Sequence, residues 1–323
     1  MWFRAFENEC LLTNPPAQRR AEFEDADRIE IRMFRVVEGE AILLIFDQTR
    51  CWLIDGGNTS DEHPNKKLAE ALHSYLLGRN LVLEVCVASH AHFDHMGAYE
   101  TLLTHGLPAV AEPVRVIRST PAWDDTNDFL DRYNKMVKKA ANNVNEDVIA
   151  ASENFRDPPV DTTEQLTPGL TVRFVAGGGK DEYFSLLLHL TFGGARILFT
   201  GDTTQSYERR LITGINDDTA WRADVYKVSH HGSEDSNSAE LIDKAKPSFA
   251  FVSDNDQPDH QLEDTTKTRL LDTPAGKRRV FQTVNGRDIV IETDGNPYNG
   301  GTLYRVTQPP KAQFAAILET HHQ

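Results

Sequence analysis

The sequence predicts an α/β (α+β) fold in which two β-sheets pack face to face and helices cover the outer faces. Two observations lead to this class. Apolar segments with the spacing of strands occur in both halves of the 323-residue chain, and each half also contains segments with the spacing of amphipathic helices. Because a sheet with helices on only one side has a second face to bury, a partner sheet is expected there.

The first half of this fold begins with three predicted strands in residues 28–55. A helix over 64–78 follows, with a proline in its first turn and leucines at helical spacing. Residues 81–89 are almost entirely apolar, which is typical of a strand buried on both faces. The next helix is expected to begin at about Met96 and to end at Gly106.

The second half contains seven predicted strands, with a helix at 238–246 between two of them. The strands are 171–175, 184–192, 196–200, 225–229, 248–253, 279–283 and 288–293. The order along the chain is therefore strands, helix, strand, helix, strands, helix and strands. This order suits two packed sheets better than a singly wound parallel sheet.

Residues 112–168 interrupt this pattern. Between 124 and 152 the chain is rich in Asp, Asn, Lys and Ala and has few apolar anchors. We predict a helical insertion over one edge of the site, either as a lid or as a solvated surface hairpin. The domain itself is predicted to span 28–295, with an N-terminal extension at 1–27 and a C-terminal tail at 296–323.

The charge and composition of the chain exclude several classes of partner. There are 34 Lys and Arg against 49 Asp and Glu, a net charge of −15, so the surface offers no broad attraction for nucleic acid or for an anionic membrane. No apolar run has membrane-spanning length, and acidic residues interrupt the start of the chain, where a signal peptide would be apolar. The three cysteines, Cys10, Cys51 and Cys86, indicate neither disulfides nor a cysteine metal site. We expect a cytoplasmic protein.

Three histidines and one aspartate occur within six positions, directly after the predicted strand at 81–89. In an extended segment, the rings of His90 and His92 project from the same face and can bind one metal ion. Asp94 and His95 follow where the chain turns into a helix, so they can reach a second ion beside the first. Imidazole and carboxylate ligands together suit Zn²⁺, with Mn²⁺ or Fe²⁺ as alternatives.

Further candidate ligands follow other predicted strands. Asp202 follows the third strand of the second half, and His230 and His231 follow the fourth. His260 lies in a polar loop after the fifth. Each of these is weak evidence alone, but strand ends that converge on one rim of a packed pair of sheets predict a single site. His189 lies within a strand, and we expect its side chain to be buried and to pack in the core.

Together these motifs resemble the metallo-β-lactamase superfamily. The resemblance rests on Leu53-Ile54-Asp55-Gly56-Gly57, the His-x-His-x-Asp-His run at 90–95, Thr200-Gly201-Asp202 and the histidines that follow. Within the superfamily the chain is most similar to the soluble hydrolase domain of the bacterial competence DNA-uptake channel, the ComEC/Rec2 family, and to phosphorylcholine esterases. The motif Lys227-Val228-Ser229-His230-His231-Gly232-Ser233 supports this subfamily.

The resemblance implies an αββα sandwich with two divalent metal ions at the edge of the sheets. One ion would lie on His90 and His92 and the other on Asp94 and His95. Asp202 would bridge the two ions. The full predicted sets are His90, His92, Asp94, His95, Asp202 and His230 for the metal ions, and Asp94, His231 and His260 for catalysis.

The chain also departs from the family pattern. Glu40 stands where the glycine-rich early motif usually has Asp, and the usual third histidine before the bridging aspartate is not evident. His231 and His260 would therefore face the substrate or finish the coordination that this histidine supplies elsewhere. Asp55 is expected to orient a ligand imidazole.

The predicted activity is metal-dependent hydrolysis, because paired divalent ions lower the pKa of a bound water to about 7 and stabilise negative charge on a carbonyl or phosphoryl oxygen. The resemblance favours a phosphodiester substrate: nucleic acid, a nucleotide or a phosphocholine-like ester. A small carbonyl substrate (lactone, thioester or amide) is the alternative, and an effector or sensor subunit of a larger complex is a third hypothesis. The expected substrate is an anionic phosphoester, and nucleic acid is expected only as a substrate. No membrane binding is expected, and a partner protein or a second copy of the chain is possible.

Overall fold

Two β-sheets pack face to face in a computed structural model of the protein, with helices on both outer faces, and this αββα arrangement confirms the predicted fold class. The structure describes residues 1–6, 9–58, 66–104, 108–120, 128–140, 144–150, 159–176, 185–254, 261–271, 279–283 and 287–310.

The described residues form the following strands and helices. The strands are β1 (Trp2–Phe6), β2 (Glu9–Thr13), β3 (Ile29–Phe34), β4 (Glu38–Phe46), β5 (Arg50–Asn58), β6 (Val82–Ala88), β7 (Val110–Thr120), β8 (Val144–Ala150), β9 (Val160–Thr167), β10 (Leu170–Ala176), β11 (Leu187–Phe192), β12 (Ala195–Phe199), β13 (Val225–Lys227), β14 (Phe249–Val252), β15 (Arg279–Gln282), β16 (Ile289–Thr293), β17 (Pro297–Tyr298) and β18 (Gly301–Thr307). The α-helices are α1 (Ala17–Asp25), α2 (Lys66–Arg79), α3 (Phe93–Met96), α4 (Tyr99–Thr104), α5 (Asp128–Lys139), α6 (Gln205–Gly214), α7 (Ala239–Ala245) and α8 (Asp264–Leu271), and 3₁₀ turns lie at Asp218–Ala220 and Ser229–Gly232.

The first sheet has the strand order β2-β1-β18-β16-β3-β4-β5-β6-β7-β8, with β17 paired to β18. The three strands predicted in residues 28–55 are its central strands β3, β4 and β5, which pair antiparallel. From β5 to β8 the pairing is parallel. Since parallel neighbours need a crossover, α2 connects β5 to β6, and α3 and α4 connect β6 to β7.

The second sheet has the strand order β15-β14-β13-β12-β11-β10-β9. Its strands β9 to β12 pair antiparallel and β12 to β15 pair parallel. The predicted strand at 288–293 corresponds to β16, which pairs with β3 in the first sheet. Because β12 and β13 are parallel neighbours, their carboxyl ends lie at the same edge of the sheet. The residues that follow these two strands therefore lie side by side.

Alternate residues of the strands divide between two apolar cores. In β4, Ile42 and Leu44 face the second sheet, whereas Leu43 contacts the core under the helices. Trp52 of the first sheet stacks on Phe174 of the second, with ring centroids 6.4 Å apart. The sheets are thus joined by a continuous apolar layer that fixes their edges relative to each other.

The helices form where the sequence carries helix signals. The buried face of α2 presents Leu68, Leu72 and Leu76 at four-residue spacing, as predicted. The predicted helix at 238–246 is α7, and the hydroxyl of Ser238 accepts the Leu241 N–H at 3.2 Å, which satisfies one of the unpaired donors at the helix start.

Both segments that we predicted to flank the domain contribute to the first sheet. Residues 1–27 form β1, β2 and α1, and the described part of 296–323 forms β17 and β18. β1 pairs with β18, and Phe3 lies buried between the sheets with its ring centroid 5.6 Å from that of Phe281. These strands lacked a clear sequence signal because β1 is short and carries Arg4 on its outer side.

The insertion at 112–168 is not mainly helical, contrary to our prediction. Its described residues include most of β7, all of β8 and β9, and one helix, α5. The polar composition is explained by position, because β8 and β9 are edge strands of the two sheets, and β9 is largely exposed. Residues 121–127, 141–143 and 151–158 lie outside the described part of the chain.

Cys51 and Cys86 are buried free thiols, as predicted for cysteines outside a disulfide framework. Burial raises the pKa of the Cys51 thiol to about 12, so both packing and protonation make it unreactive at neutral pH. In the described residues, we find no helix with the length and apolar character needed to cross a membrane.

Candidate metal centre

The candidate site lies at one edge of the sandwich, where strands of both sheets end. Residues after β6 of the first sheet meet residues after β12 and β13 of the second. His90, His95, Asp202 and His231 come from these segments and are all buried. Sequence reasoning predicted this convergence, and the structure brings these four residues together.

Two polar side chains of the first sheet orient the histidines of the 90–95 run. Asp55 accepts the Ser89 N–H at 2.8 Å through Oδ1, and its Oδ2 lies 2.9 Å from His95 Nδ1. This contact directs Nε2 of His95 toward the site, which is the orienting role predicted for Asp55. The Ser89 hydroxyl lies 3.0 Å from His90 Nδ1 in the same way.

Asp202 lies at the centre of the cluster. Its Oδ2 is 3.1 Å from Nε2 of His95 and 3.5 Å from Nε2 of His231. The same oxygen is 4.0 Å from Nε2 of His90 and 4.0 Å from Nε2 of His230. One carboxylate oxygen therefore lies within reach of four imidazoles, as a bridging ligand would.

Asp94 and His92, both in the 90–95 run, lie beside this centre. Oδ2 of Asp94 is 3.5 Å from Nε2 of His95 and 3.7 Å from Nε2 of His231. The ring centroids of His92 and His90 are 4.6 Å apart. The ring centroids of His90 and His95 are 4.2 Å apart, so His90 lies close to both of the other histidines and the run forms one continuous cluster beside Asp202.

The donor atoms of this cluster have the spacing of metal ligands. Ligand atoms of Asp94, His95, Asp202 and His231 all lie within 4.8 Å of one another. Two ligand atoms that are each about 2.1 Å from a tetrahedral ion are about 3.4 Å apart, and the closest separations among these four residues, 3.1, 3.5 and 3.7 Å, bracket that value. In addition, Nε2 of His90 is buried with no hydrogen-bond partner among the described residues. A buried polar atom without a partner is unfavourable, and coordination of a metal ion would satisfy it. These residues fit a divalent metal ion.

A buried lysine neutralises the acidic side chains beside this cluster. Nζ of Lys227 lies 2.5 Å from Oε1 of Glu40 and 3.7 Å from Oδ1 of Asp202. Glu40, Asp55 and His95 form a second compact group of donors, but the Lys227 ammonium already neutralises Glu40 there. Sequence reasoning missed the role of Lys227, and its signal was a lysine at the end of an otherwise apolar strand.

The charges within the cluster are coupled. Burial would raise the pKa of Asp202, but the imidazoles of His95 and His231 overcome this and hold it well below its usual range. Burial would likewise lower the pKa of His231, but the Asp202 carboxylate overcomes this and raises it to about 9. Since a divalent ion would take the place of the protons on these imidazoles, metal binding is expected to release protons and to weaken as pH falls.

The two adjacent histidines differ in burial and in distance from Asp202. The side chain of His231 is 1% exposed and the nearer to Asp202, whereas that of His230 is 25% exposed. Both have positive φ, 52° and 49°, because the chain reverses in the turn at Ser229–Gly232. His231 thus lies deep in the cluster beside Asp202, and His230 lies at the rim.

The remaining candidate histidines are His189 and His260. His189 is buried in β11, with Nε2 2.7 Å from the carbonyl oxygen of Arg222, and it packs as predicted. His260 lies outside the described residues. Ser185, just before β11, accepts the Asp202 N–H at 2.8 Å, so its hydroxyl holds the backbone of the central residue from this side.

The fold and this cluster define a protein of the metallo-β-lactamase class. A sequence profile of the metallo-beta-lactamase superfamily matches residues 36–253, and the chain therefore belongs to this superfamily, whose members typically bind divalent metal ions. The chain is also 25% identical over 236 residues to ComE operon protein 3 of Bacillus subtilis (strain 168). That match covers 69% of this chain and 28% of the relative, so the chain spans less than a third of the relative's length.

Two solved structures are similar to the chain at low sequence identity. Human tRNase Z, short form, matches with 12% identity and a TM-score of 0.43, over 68% of this chain and 91% of that one. A diphosphatase from the PhnP family matches with 15% identity and a TM-score of 0.39, over 75% of this chain and 81% of that one.

Proposed function

We propose that the protein is a metal-dependent hydrolase that acts on a phosphodiester. The observation that carries this proposal is the convergence of imidazole nitrogens on one oxygen of Asp202, with Asp94 beside it. The ions of such a centre lower the pKa of water and stabilise negative charge that develops on a phosphoryl oxygen. The proposed ligands are His90, His92, Asp94, His95, Asp202 and His231.

Several side chains of the protein prepare this centre. Asp55 fixes the ring of His95 through Nδ1. Lys227 lies beside Oδ1 of Asp202 and leaves Oδ2 to the imidazoles. His230 is partly exposed at the rim of the cluster, where its imidazole could exchange a proton with a bound substrate.

The charge of the centre favours an anionic substrate. The carboxylates of Glu40, Asp55, Asp94 and Asp202 and the ammonium of Lys227 carry three net negative charges. Two divalent ions would add four positive charges and leave the centre with one positive charge, in a chain of net charge −15. A phosphodiester carries one negative charge at neutral pH and matches this centre better than a neutral lactone does. The acidic surface disfavours long duplex nucleic acid, so a substrate in nucleic acid would be short, single-stranded or delivered by a partner protein.

Metal content and substrate preference test this proposal together. After reconstitution with Zn²⁺ or Mn²⁺, elemental analysis is expected to find close to two ions per chain. Bis-p-nitrophenyl phosphate should be hydrolysed in preference to nitrocefin and to a thioester. Asp202→Ala should lose this turnover by several orders of magnitude, because it removes the central carboxylate, while His189→Ala serves as a buried control outside the cluster.

The outcomes separate the alternatives. Turnover of nitrocefin or the thioester without diester hydrolysis would assign the site to small carbonyl substrates. Two bound ions with turnover of none of the three substrates would favour an effector or sensor role. Fewer than one ion per chain would overturn the metal centre itself.

A further inference from the structure

Another buried carboxylate, in addition to those of Glu40, Asp55 and Asp202, lies next to the loops that carry the candidate ligands. Glu208 belongs to the first turn of α6 and is fully enclosed by protein. Within the described part of the chain, no Lys, Arg or His forms an ion pair with it. Because burying a carboxylate without a counter-ion costs free energy unless hydrogen bonds satisfy its oxygens, its partners indicate what it does.

Four neutral donors satisfy Glu208. Oε1 accepts the N–H of Asn237 at 2.8 Å, and Oε2 accepts the N–H of Ser238 at 2.6 Å. The hydroxyls of Ser229 and Thr203 lie 3.3 and 3.4 Å from Oε1. One carboxylate therefore joins three separate loops.

Two of these donors are direct chain neighbours of candidate metal ligands. Thr203 follows Asp202, and Ser229 precedes His230. The two hydroxyls lie 3.1 Å apart, so the loop after β12 and the loop after β13 meet at Glu208. Any shift of this carboxylate would move the two loops relative to each other.

The third loop strengthens this connection. Oδ1 of Asn237 accepts the Ser229 N–H at 2.8 Å, and its Nδ2 donates to the Ser229 carbonyl at 3.0 Å. The next two residues, His230 and His231, have positive φ, which non-glycine residues rarely adopt. The loop of 229–232 thus needs fixed anchors to hold its shape, and Glu208 and Asn237 provide them.

We propose that Glu208 is a positioning residue of the metal centre. It holds Asp202 and the His230–His231 turn at the separation that the bound ions require, and it touches neither ions nor substrate. This inference rests on the proposed function, because it assumes that the cluster binds metal. A glutamine at this position keeps the shape but replaces one acceptor oxygen with an NH₂ group, which only donates, so one of the two backbone N–H groups that Oε1 and Oε2 accept now faces another donor.

The test compares Glu208→Gln with the matched control Glu240→Gln. Glu240 lies in the first turn of α7, is largely exposed and pairs with Arg209 at 3.4 Å. Zn²⁺ affinity is measured by competition with a chelator, the site geometry by the visible spectrum of the Co²⁺-substituted protein, and the fold by far-UV circular dichroism. We expect Glu208→Gln to fold, to bind Zn²⁺ about 10- to 100-fold more weakly and to change the Co²⁺ spectrum, whereas Glu240→Gln matches the wild type.

Wild-type Zn²⁺ affinity and an unchanged Co²⁺ spectrum in Glu208→Gln would overturn the positioning role. If Glu208→Gln fails to fold, Thr203→Val is used as the test, because it removes only one of the four donors. Weaker Zn²⁺ binding in Thr203→Val supports the positioning role, and unchanged binding overturns it. Absence of metal binding in the wild-type protein would be a failure of the proposed function, which this design distinguishes from a failure of the positioning role.

Discussion

Lys227 and Glu40 form a buried ion pair next to the candidate ligands. Both side chains are buried, and their charged atoms are 2.5 Å apart. Removing one member of such a pair leaves an uncompensated charge in the interior, whereas replacing both members often costs little. The pair is therefore best tested by single and double substitution.

Lys227→Met is expected to lower the free energy of unfolding by about 3–5 kcal/mol, because Glu40 and Asp202 both lose a neighbouring cation. Adding Glu40→Gln to this variant should recover most of the loss. Urea unfolding of the metal-free proteins measures both effects. A double variant no more stable than Lys227→Met would show that the pair is not the cause.

The adjacent histidines are expected to have different roles. His231→Ala should reduce the bound metal, because its ring is 1% exposed and Nε2 lies 3.5 Å from Asp202 Oδ2. His230→Ala should keep both ions and lose about 10²- to 10⁴-fold in diester turnover if it holds a proton near the leaving group. Elemental analysis and turnover of bis-p-nitrophenyl phosphate measure the two effects. The opposite pattern would restore the roles that the family resemblance implied.

At the scale of single residues, the sequence indicated the candidate ligands more clearly than the residues that contact them. The 90–95 run and Asp202 were recognisable because each follows an apolar strand. The supports depend on partners far away in the chain: Lys227 and Glu40 are 187 positions apart, and Glu208 and Ser238 are 30 apart. Spacing within one strand or helix carries no signal for such pairs.

At the scale of elements, Gly39 allows β4 to approach the short helix α3. Its φ is +68°, and a Cβ built on it would lie 1.7 Å from the carbonyl oxygen of Asp94. A glycine is required here for both reasons, since any side chain would meet backbone and the conformation is unfavourable for other residues. This close approach brings Glu40 to within 3.6 Å of His95.

Gly39→Ala is expected to displace α3, and with it Asp94 and His95, and so to weaken Zn²⁺ binding. Gly169→Ala is the matched control, because Gly169 also has positive φ, +83°, but a Cβ there meets no atom within 4 Å. The control should lose about 1–2 kcal/mol of stability through backbone strain alone and keep its metal affinity. Chelator competition and thermal unfolding distinguish the two; equal Zn²⁺ affinities in both variants would contradict the steric argument.

Elements covered on both faces were the ones that the sequence predicted. β4 and β5 are buried along almost their whole length, and their apolar runs were unmistakable. β9, in contrast, is a Thr-rich edge strand with most of its side chains at least partly exposed. Its composition resembles that of a solvated loop, so the sequence predicts no strand there.

At the scale of the whole molecule, the packing of the two sheets assembles the site. Asp55, His90 and His95 belong to the first sheet and its connections, whereas Asp202 and His231 follow strands of the second. The site therefore combines residues from both sheets and is not built by any single loop. The chain ends take part in this layer, which the sequence pattern did not reveal.

Phe3→Ala tests how far this layer acts on the site. Phe3 is buried, and its ring centroid lies 5.6 Å from that of Phe281 and 6.3 Å from that of Phe249, both in the second sheet. The substitution should lower the free energy of unfolding by about 3–5 kcal/mol. Leu12→Ala, in the neighbouring β2, is the control, because this side chain is 60% exposed and its loss should stay within about 0.5 kcal/mol.

The Zn²⁺ affinity of the folded Phe3→Ala protein should equal that of the wild type. β1 lies five strand positions from β5 in the first sheet, which is about 24 Å at a strand spacing of about 4.8 Å. In the second sheet, Phe249 begins β14, whereas Ser253, whose carbonyl oxygen lies 3.2 Å from His231 Nδ1, follows the other end of that strand, about 13 Å away at about 3.3 Å per residue. Local repacking around the lost ring is not expected to reach the cluster by either route. Urea unfolding and chelator competition on the same preparations give both quantities. Zn²⁺ binding that weakens in proportion to stability would contradict this expectation. The positions of Asp202 and the 90–95 run would then depend on the packing of the two sheets as a whole, and local hydrogen bonds would not be sufficient to keep them in place.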